Sequence, residues 1–210
     1  SFLKKFASLK RDNSKAKIIA ITGSAGKTSI KNLLHDLLGK FGSTHVSPRS
    51  FNNHFGVPIS LSNLNENHQY GVFEVGMSNQ GEINQLTKMI KPNIGLITNI
   101  GEAHMENFKN IKGIAKAKSE IINNIEINGT IILNRDDRFF NYLSKKAKSK
   151  NIKVVAFGMT KKANIYPLEI KKFKGEVKIT IKTDEEAIKF KIKNINIYNV
   201  LSSLAVLKVL

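Results

Sequence analysis

Residues 18–28, Ile18-Ile19-Ala20-Ile21-Thr22-Gly23-Ser24-Ala25-Gly26-Lys27-Thr28, restrict the fold more than any other stretch. An apolar run of strand type ends in small residues, and Lys27-Thr28 opens an amphipathic helix through Leu33, Leu34, Leu37 and Leu38. Strand, glycine turn and helix start form the order that a nucleotide phosphate requires. Glycines admit the backbone to the anion, successive N–H groups point at it, and the helix N-terminus adds partial positive charge. Lys27 is placed to reach β- and γ-phosphates, and the Thr28 hydroxyl to sit on Mg²⁺. The pattern is a short Gly-x-x-Gly-Lys-Thr, with Ile21 where a longer phosphate loop has its first glycine. The plain alternative is a structural turn; the correct flanking strand and helix favour phosphate.

Later segments say what surrounds that unit. Apolar strand runs at Thr44–Val46, Gln69–Val75, Ile94–Thr98, Thr130–Leu133 and Lys153–Phe157 alternate with helical patterns at Gly81–Ile90, Ile111–Ile125 and Asp136–Lys148. Such alternation predicts an α/β fold: a mostly parallel, doubly wound P-loop-type sheet with flanking helices. From Ala163 to Lys193 the period changes to two, with turn residues at Lys174-Gly175 and Asp184-Glu185, which predicts a small antiparallel meander. A short helix over Phe2–Leu9, a polar linker over Lys10–Lys17 and a last helix over Ile197–Leu210 complete the expectation. Ser47–Pro58 reads as loop, punctuated by Pro48, Asn52, Asn53, Gly56 and Pro58.

Composition narrows the function class. The 210 residues carry a net charge of +18, but lysines spread along the whole chain and no aromatic-basic module accompanies them, so no nucleic-acid role is expected. No apolar run reaches the length of a membrane span. The absence of cysteine rules out disulfides and thiolate metal sites and sets a reducing, cytoplasmic location as the default.

In an open α/β sheet, ligands gather at the C-terminal strand ends. Glu74 ends one strand just before Gly76, where a carboxylate can hold Mg²⁺ or simply lie exposed. His104 follows the Ile94–Thr98 strand. Lys118 lies on a helix, and pattern alone does not separate it from Lys116. Asn52, Asn53 and His54 suit either a polar substrate or a turn. Spacing thus supports a nucleotide site and stops short of a reaction.

Taken together, the chain resembles the Mur ligases, ATP-dependent amide ligases of peptidoglycan precursor synthesis. The resemblance rests on the loop from Ile21 to Thr28, on Asn52-Asn53-His54-Phe55-Gly56-Val57-Pro58, and on Glu74-Val75-Gly76-Met77 with Gly81-Glu82-Ile83. It continues through Ala103-His104-Met105-Glu106-Asn107-Phe108, the run Gly113 to Ile121, and Asn134-Arg135-Asp136-Asp137. The Asn-Asn-His-x-Gly-Val-Pro stretch is most similar to the member that adds D-alanyl-D-alanine to UDP-N-acetylmuramoyl-tripeptide. The resemblance implies that residues 17–210 are the family's central ATP-binding domain. Residues 1–16 would be a linker or the tail of a preceding domain, and the family's C-terminal domain is expected to be absent from this chain.

By resemblance, Gly23, Ser24, Ala25, Gly26, Lys27, Thr28 and Ser29 would cradle the ATP phosphates, and Asn199 would approach the adenine. Thr28 and Glu74 would hold one Mg²⁺, and His104 would help bind a second. Lys118 matches a lysine carried in relatives as a metal-binding carbamate, and Lys27, Lys118 and His104 would form the catalytic set. Asn52, Asn53 and His54 would lie near the UDP-sugar peptide. Where the family has Gly-x-His-Asn, this chain has Lys193-Asn194-Ile195-Asn196. A monomer is expected. The alternatives are another ligase of the superfamily, either the third-residue-adding enzyme or a folylpolyglutamate synthase-like enzyme, and a non-catalytic nucleotide-binding remnant.

Overall fold

The computed structural model describes residues 2–103, 105–173, 176–182, 187–192 and 196–210, and gives no side-chain surroundings for residues 172, 173, 190 and 192. The central layer is a six-stranded, wholly parallel sheet: β1 (Lys17–Thr22), β2 (Thr44–Val46), β3 (Tyr70–Glu74), β4 (Ile94–Ile97), β5 (Thr130–Asn134) and β6 (Lys153–Phe157), in the order β2-β3-β1-β4-β5-β6. A strand buried on both faces reads as continuous apolar sequence. Accordingly, Ile18, Ile19, Ala20 and Ile21 of β1 are all fully buried. Their alternating side chains feed two separate cores, Ile18 and Ala20 one face and Ile19 and Ile21 the other. Each buried Ile contributes on the order of 1.5–3 kcal/mol.

On the first face lie α1 (Phe2–Asn13), α3 (Gly56–Ser62), α4 (Glu82–Ile90), α5 (Ile111–Lys118) and α6 (Phe140–Lys148), which contribute Ala7, Leu61, Ile83, Ile114 and Leu143 to the core. On the second lie α2 (Lys27–Leu38), α7 (Ile197–Leu207) and the antiparallel sheet of β7 (Tyr166–Phe173), β8 (Glu176–Lys182) and β9 (Ala187–Ile192). Ile30, Leu34, Ile179, Ile181 and Leu201 fill that side. The meander therefore forms as expected, although its turn residues 174–175 and 184–185 are outside the described residues.

Several boundaries differ from the expectation. The first helix runs to Asn13, and Arg11, read as linker, is 8% exposed. Its Nε and Nη2 donate to the carbonyls of Ile90 and Lys91 at 2.6 and 2.7 Å, closing the C-terminus of α4. Part of the Ser47–Pro58 loop is the start of α3. Proline is tolerated in a first helical turn, where its missing N–H has no intrahelical partner to lose. The Ile111–Ile125 pattern is α5 followed by a 3₁₀ segment, Ser119–Asn124, and Asp136-Asp137 precede α6 on a turn. Among the described residues, no helix is long and apolar enough to cross a membrane.

The strand order matters for function. From β1 the chain moves outward to β2, returns to β3, and then crosses β1 to β4. The crevice between β3 and β4, above the end of β1, is where such sheets take ligands. Register aligns Ile21 with Glu74 and Thr22 with Ile97, so three strand ends meet at the glycine loop.

Candidate functional site

The loop after β1 is shaped by its glycines. Gly26 precedes α2 with φ +85°, a left-handed conformation that glycine adopts without steric cost. At Gly23 the limit is space: a Cβ there would lie 1.8 Å from Thr98 Oγ1. Neighbouring strand ends then pin the loop. Thr98 Oγ1 donates to Ala25 O at 2.6 Å, Asn99 Oδ1 accepts from Ala25 N at 3.0 Å, and Gly101 N donates to Ser24 Oγ at 2.8 Å. Among the described residues, the N–H groups of Lys27, Thr28 and Ser29 have no acceptor, as expected for a first turn. Lys27 Nζ donates to Gly23 O at 2.8 Å, folding its ammonium over the loop.

Glu74 ends β3 against this loop and is only 1% exposed. Its Oε2 accepts from Thr28 Oγ1 and its Oε1 from Asn52 Nδ2, both at 2.8 Å. The exposed-strand-end reading of Glu74 is therefore replaced by a buried, doubly bonded carboxylate. Burial lowers the pKa of Lys27 and of Lys31, and attraction to Glu74 partly opposes the shift in each.

Lys118, the last residue of α5, is 2% exposed, and its Nζ has no hydrogen bond or ion pair among the described residues. It lines a cavity of about 210 Å³ together with Lys27, Asn52, Asn53, Ser78 and Glu82. Burial first, and repulsion by Lys27 second, bring its pKa from 10.5 to about 7. Near neutral pH a large fraction is therefore the free amine, the form that can add CO₂.

The asparagine pair is divided in its duties. Asn52 faces Glu74, whereas Asn53 Oδ1 accepts from Phe55 N and Gly56 N at 3.1 and 2.9 Å and so begins α3. His54 is exposed, with its ring 4.1 Å from that of Phe55. On the far side of the loop, a cavity of about 390 Å³ is lined by Gly26, Ser29, Asn134, Phe157, Tyr198 and Asn199. Asn199 Oδ1 lies 3.1 Å from where a Gly26 Cβ would be, so the loop glycine and α7 pack directly. His104 and residues 193–195 are outside the described residues. Thus Lys27, Thr28, Glu74 and Lys118 come together, while Thr98, Asn99 and Lys31 join a site that the sequence reading did not give them. Thr98 follows directly on β4, the next strand over, so only strand order could have revealed it.

The family described as "Mur ligase middle domain" matches residues 21–209. The chain belongs to the Mur ligase family. Over 163 residues this Mur ligase domain is 43% identical to a UDP-N-acetylmuramoyl-tripeptide--D-alanyl-D-alanine ligase of Rickettsia prowazekii, covering 77% of the chain and 36% of the relative. In three dimensions it is similar to a MurF crystal structure from Acinetobacter baumannii, with TM-score 0.91, 31% identity, and coverage of 97% of this chain and 45% of that one. A MurF from Thermotoga maritima in complex with ADP shares the fold, with TM-score 0.87 and 24% identity over 99% of this chain and 48% of that one. The domain spans about a third of the length of the curated relatives it matches.

Proposed function

We propose that this Mur ligase domain is the ATP-binding core of the ligase that joins D-alanyl-D-alanine to UDP-N-acetylmuramoyl-tripeptide. The observation that carries this reading is the convergence of Lys27, Thr28, Glu74 and Lys118 beside the N–H groups at the start of α2 that have no acceptor among the described residues. Two buried or half-buried ammonium groups, Lys27 and Lys31, flank one buried carboxylate, and that imbalance favours a polyanion. The curated relative from Rickettsia supports the choice of substrates. Residues 17–210 then form the ATP-binding unit, and residues 1–16, whose helix α1 packs on that unit through Ala7 and Arg11, are the tail of a preceding domain and not a free linker. The lack of cysteine suits a reducing, cytoplasmic setting.

The residues present fit Mg²⁺. Among the described residues no group of three or more Asp, Glu and His gathers, and Mg²⁺ does not need one. It is ordinarily held by one or two carboxylates, water and substrate phosphates. Thr28 Oγ1 and Glu74 Oε2 offer hard oxygens at the phosphate loop and would hold it, with His104 assigned to a second ion by resemblance. Lys118 would join them as the carbamate, for which its free amine is the starting form. The metal would supply charge neutralisation across the β- and γ-phosphates.

The rest of the chemistry belongs to the chain. The first-turn N–H groups and Gly23 to Ser29 orient the triphosphate, and Asn199 with the larger cavity takes the nucleoside. Lys27 balances charge on the γ-phosphoryl group as the tripeptide's terminal carboxylate attacks phosphorus and ADP leaves. The amine of D-alanyl-D-alanine then attacks the acyl carbon, loses a proton, and displaces phosphate to leave the amide. Positioning and charge neutralisation account for most of the acceleration in such transfers. Asn52, Asn53 and His54 are assigned to the side facing the UDP-sugar peptide.

An enzyme carrying this domain at the full length of its relatives should release phosphate from ATP only when both UDP-N-acetylmuramoyl-tripeptide and D-alanyl-D-alanine are present. Phosphate release with a single amino acid in place of the dipeptide would contradict the assignment. The 210-residue chain alone is expected to bind ATP weakly and to form no amide.

A further inference from the structure

Lys31 lies one helical turn beyond Lys27 on α2 and looks in sequence like one more solvated lysine. It is instead 2% exposed. Its ammonium makes no ion pair among the described residues; it donates to the carbonyl of Ser47 at 2.8 Å and to the carbonyl of Arg49. A lysine buried to cap two loop carbonyls incurs a desolvation cost, seen here in its lowered pKa, and needs a reason.

The segment that it grips supplies one. Arg49 has φ +45°, a left-handed conformation that is uncommon for a residue with a side chain. Beyond it, Asn52 is sewn to the end of β3 twice: its carbonyl accepts from Gly76 N at 2.7 Å and its Nδ2 donates to Glu74 Oε1 at 2.8 Å. A Cβ at Gly76 would lie 2.8 Å from Asn52 Oδ1, so the fit has no slack. Earlier in the segment, Ser47 Oγ accepts from Glu74 N at 3.3 Å. Residues 47–52 therefore touch Glu74 from two sides, and Lys31 fastens the middle of that path to the phosphate-loop helix.

We propose that Lys31 is a positioning residue: by holding the Ser47 and Arg49 carbonyls to α2, it makes Asn52 fix the rotamer of Glu74 and so aligns Glu74 with Thr28. One helix then carries both the phosphate contact, Lys27, and the clamp that sets the opposing carboxylate. The segment that ends in Asn52-Asn53 is thereby coupled to the same helix. Groups that orient a ligating carboxylate from behind matter nearly as much as the ligand itself. This role rests on the nucleotide and Mg²⁺ reading given above.

The test is a double-mutant cycle on the 210-residue chain with Lys31→Met, Asn52→Ala and the pair. For each, ATP affinity is measured with saturating Mg²⁺ and with chelator, and the ratio of the two reports the contribution of the metal. Lys31→Met should lower that ratio roughly ten- to a hundredfold. Asn52→Ala should lower it similarly, and the pair should lower it no further. The Asn52 side-chain amide signal, read by NMR without nucleotide, should move in Lys31→Met toward the position of an exposed asparagine. An unchanged ratio with only lowered thermal stability, or losses that add in the pair, would overturn the proposal. Failure of Lys31→Met and Lys31→Gln to fold, with Asn52→Ala folded, would also overturn it by making Lys31 a residue of the fold alone. A wild-type chain that binds no ATP while its Asn52 signal still depends on Lys31 would instead overturn the nucleotide reading, and with it the metal-aligning half of the proposal.

Discussion

At the scale of the residue, the site runs against stability. Lys118 is an ammonium-bearing side chain 2% exposed and without a partner among the described residues, and its pKa of about 7 records the cost. At neutral pH the unfolded chain carries this proton with a pKa near 10.5, whereas the folded chain holds it only below about 7. The penalty therefore grows as pH falls from 10.5 and is complete below 7. Lys118→Met keeps an unbranched side chain, one atom shorter, and removes the charge. It should raise stability by on the order of a few kcal/mol at pH 7 in urea unfolding without nucleotide, while abolishing ligase activity in the full-length enzyme. A destabilised Lys118→Met would mean that the lysine has a favourable partner in the fold. In sequence, Lys118 and Lys31 could not be told from their exposed neighbours, because what sets them apart is burial produced by distant elements.

At the scale of the element, a buried polar chain joins β2 and α3 to the end of β3. His45 is 9% exposed, with Nε2 3.0 Å from Ser60 Oγ, which in turn contacts Ser47 Oγ at 3.4 Å. Burial, reinforced by the nearby His68 ring at 5.3 Å, lowers its pKa to about 4. Because the unfolded chain takes up this proton near pH 6.5, the contribution of His45 is constant above 6.5. Below that it becomes unfavourable progressively, until pH 4, by roughly 3 kcal/mol. Urea titrations between pH 4 and 7 should show this loss in the wild type and a shallower one in His45→Gln. Equal slopes would rule the effect out. Elements made of local pattern, such as β1, α2 and the antiparallel meander, were legible in the sequence. The start of α3 was not, since Gly56 and Pro58 read as breakers although Asn53 Oδ1 accepts from Gly56 N and the first turn accommodates the proline. The extension of α1 was hidden in the same way, because Arg11 finds its partners 79 and 80 residues away.

At the scale of the whole molecule, the strand order assembles the site. Crossing from β3 over β1 to β4 places Glu74, the glycine loop and the Thr98-Asn99 corner side by side. The loop and Glu74 were legible from the pattern of the sequence and Lys118 only through the family resemblance, whereas what packs them was not, since the contacts of Thr98 and Asn99 span more than 70 residues. α7 then closes the larger cavity through Tyr198 and Asn199, on the side of the glycine loop that Gly26 and Ser29 line. In the proposed function this arrangement binds ATP through Lys27. Isothermal titration of the 210-residue chain with ATP and Mg²⁺ tests it most directly, beside a Lys27→Ala variant whose circular dichroism matches the wild type. Weak but saturable binding that disappears in Lys27→Ala is the expected result; no binding by the wild type, or equal binding by the variant, would contradict it.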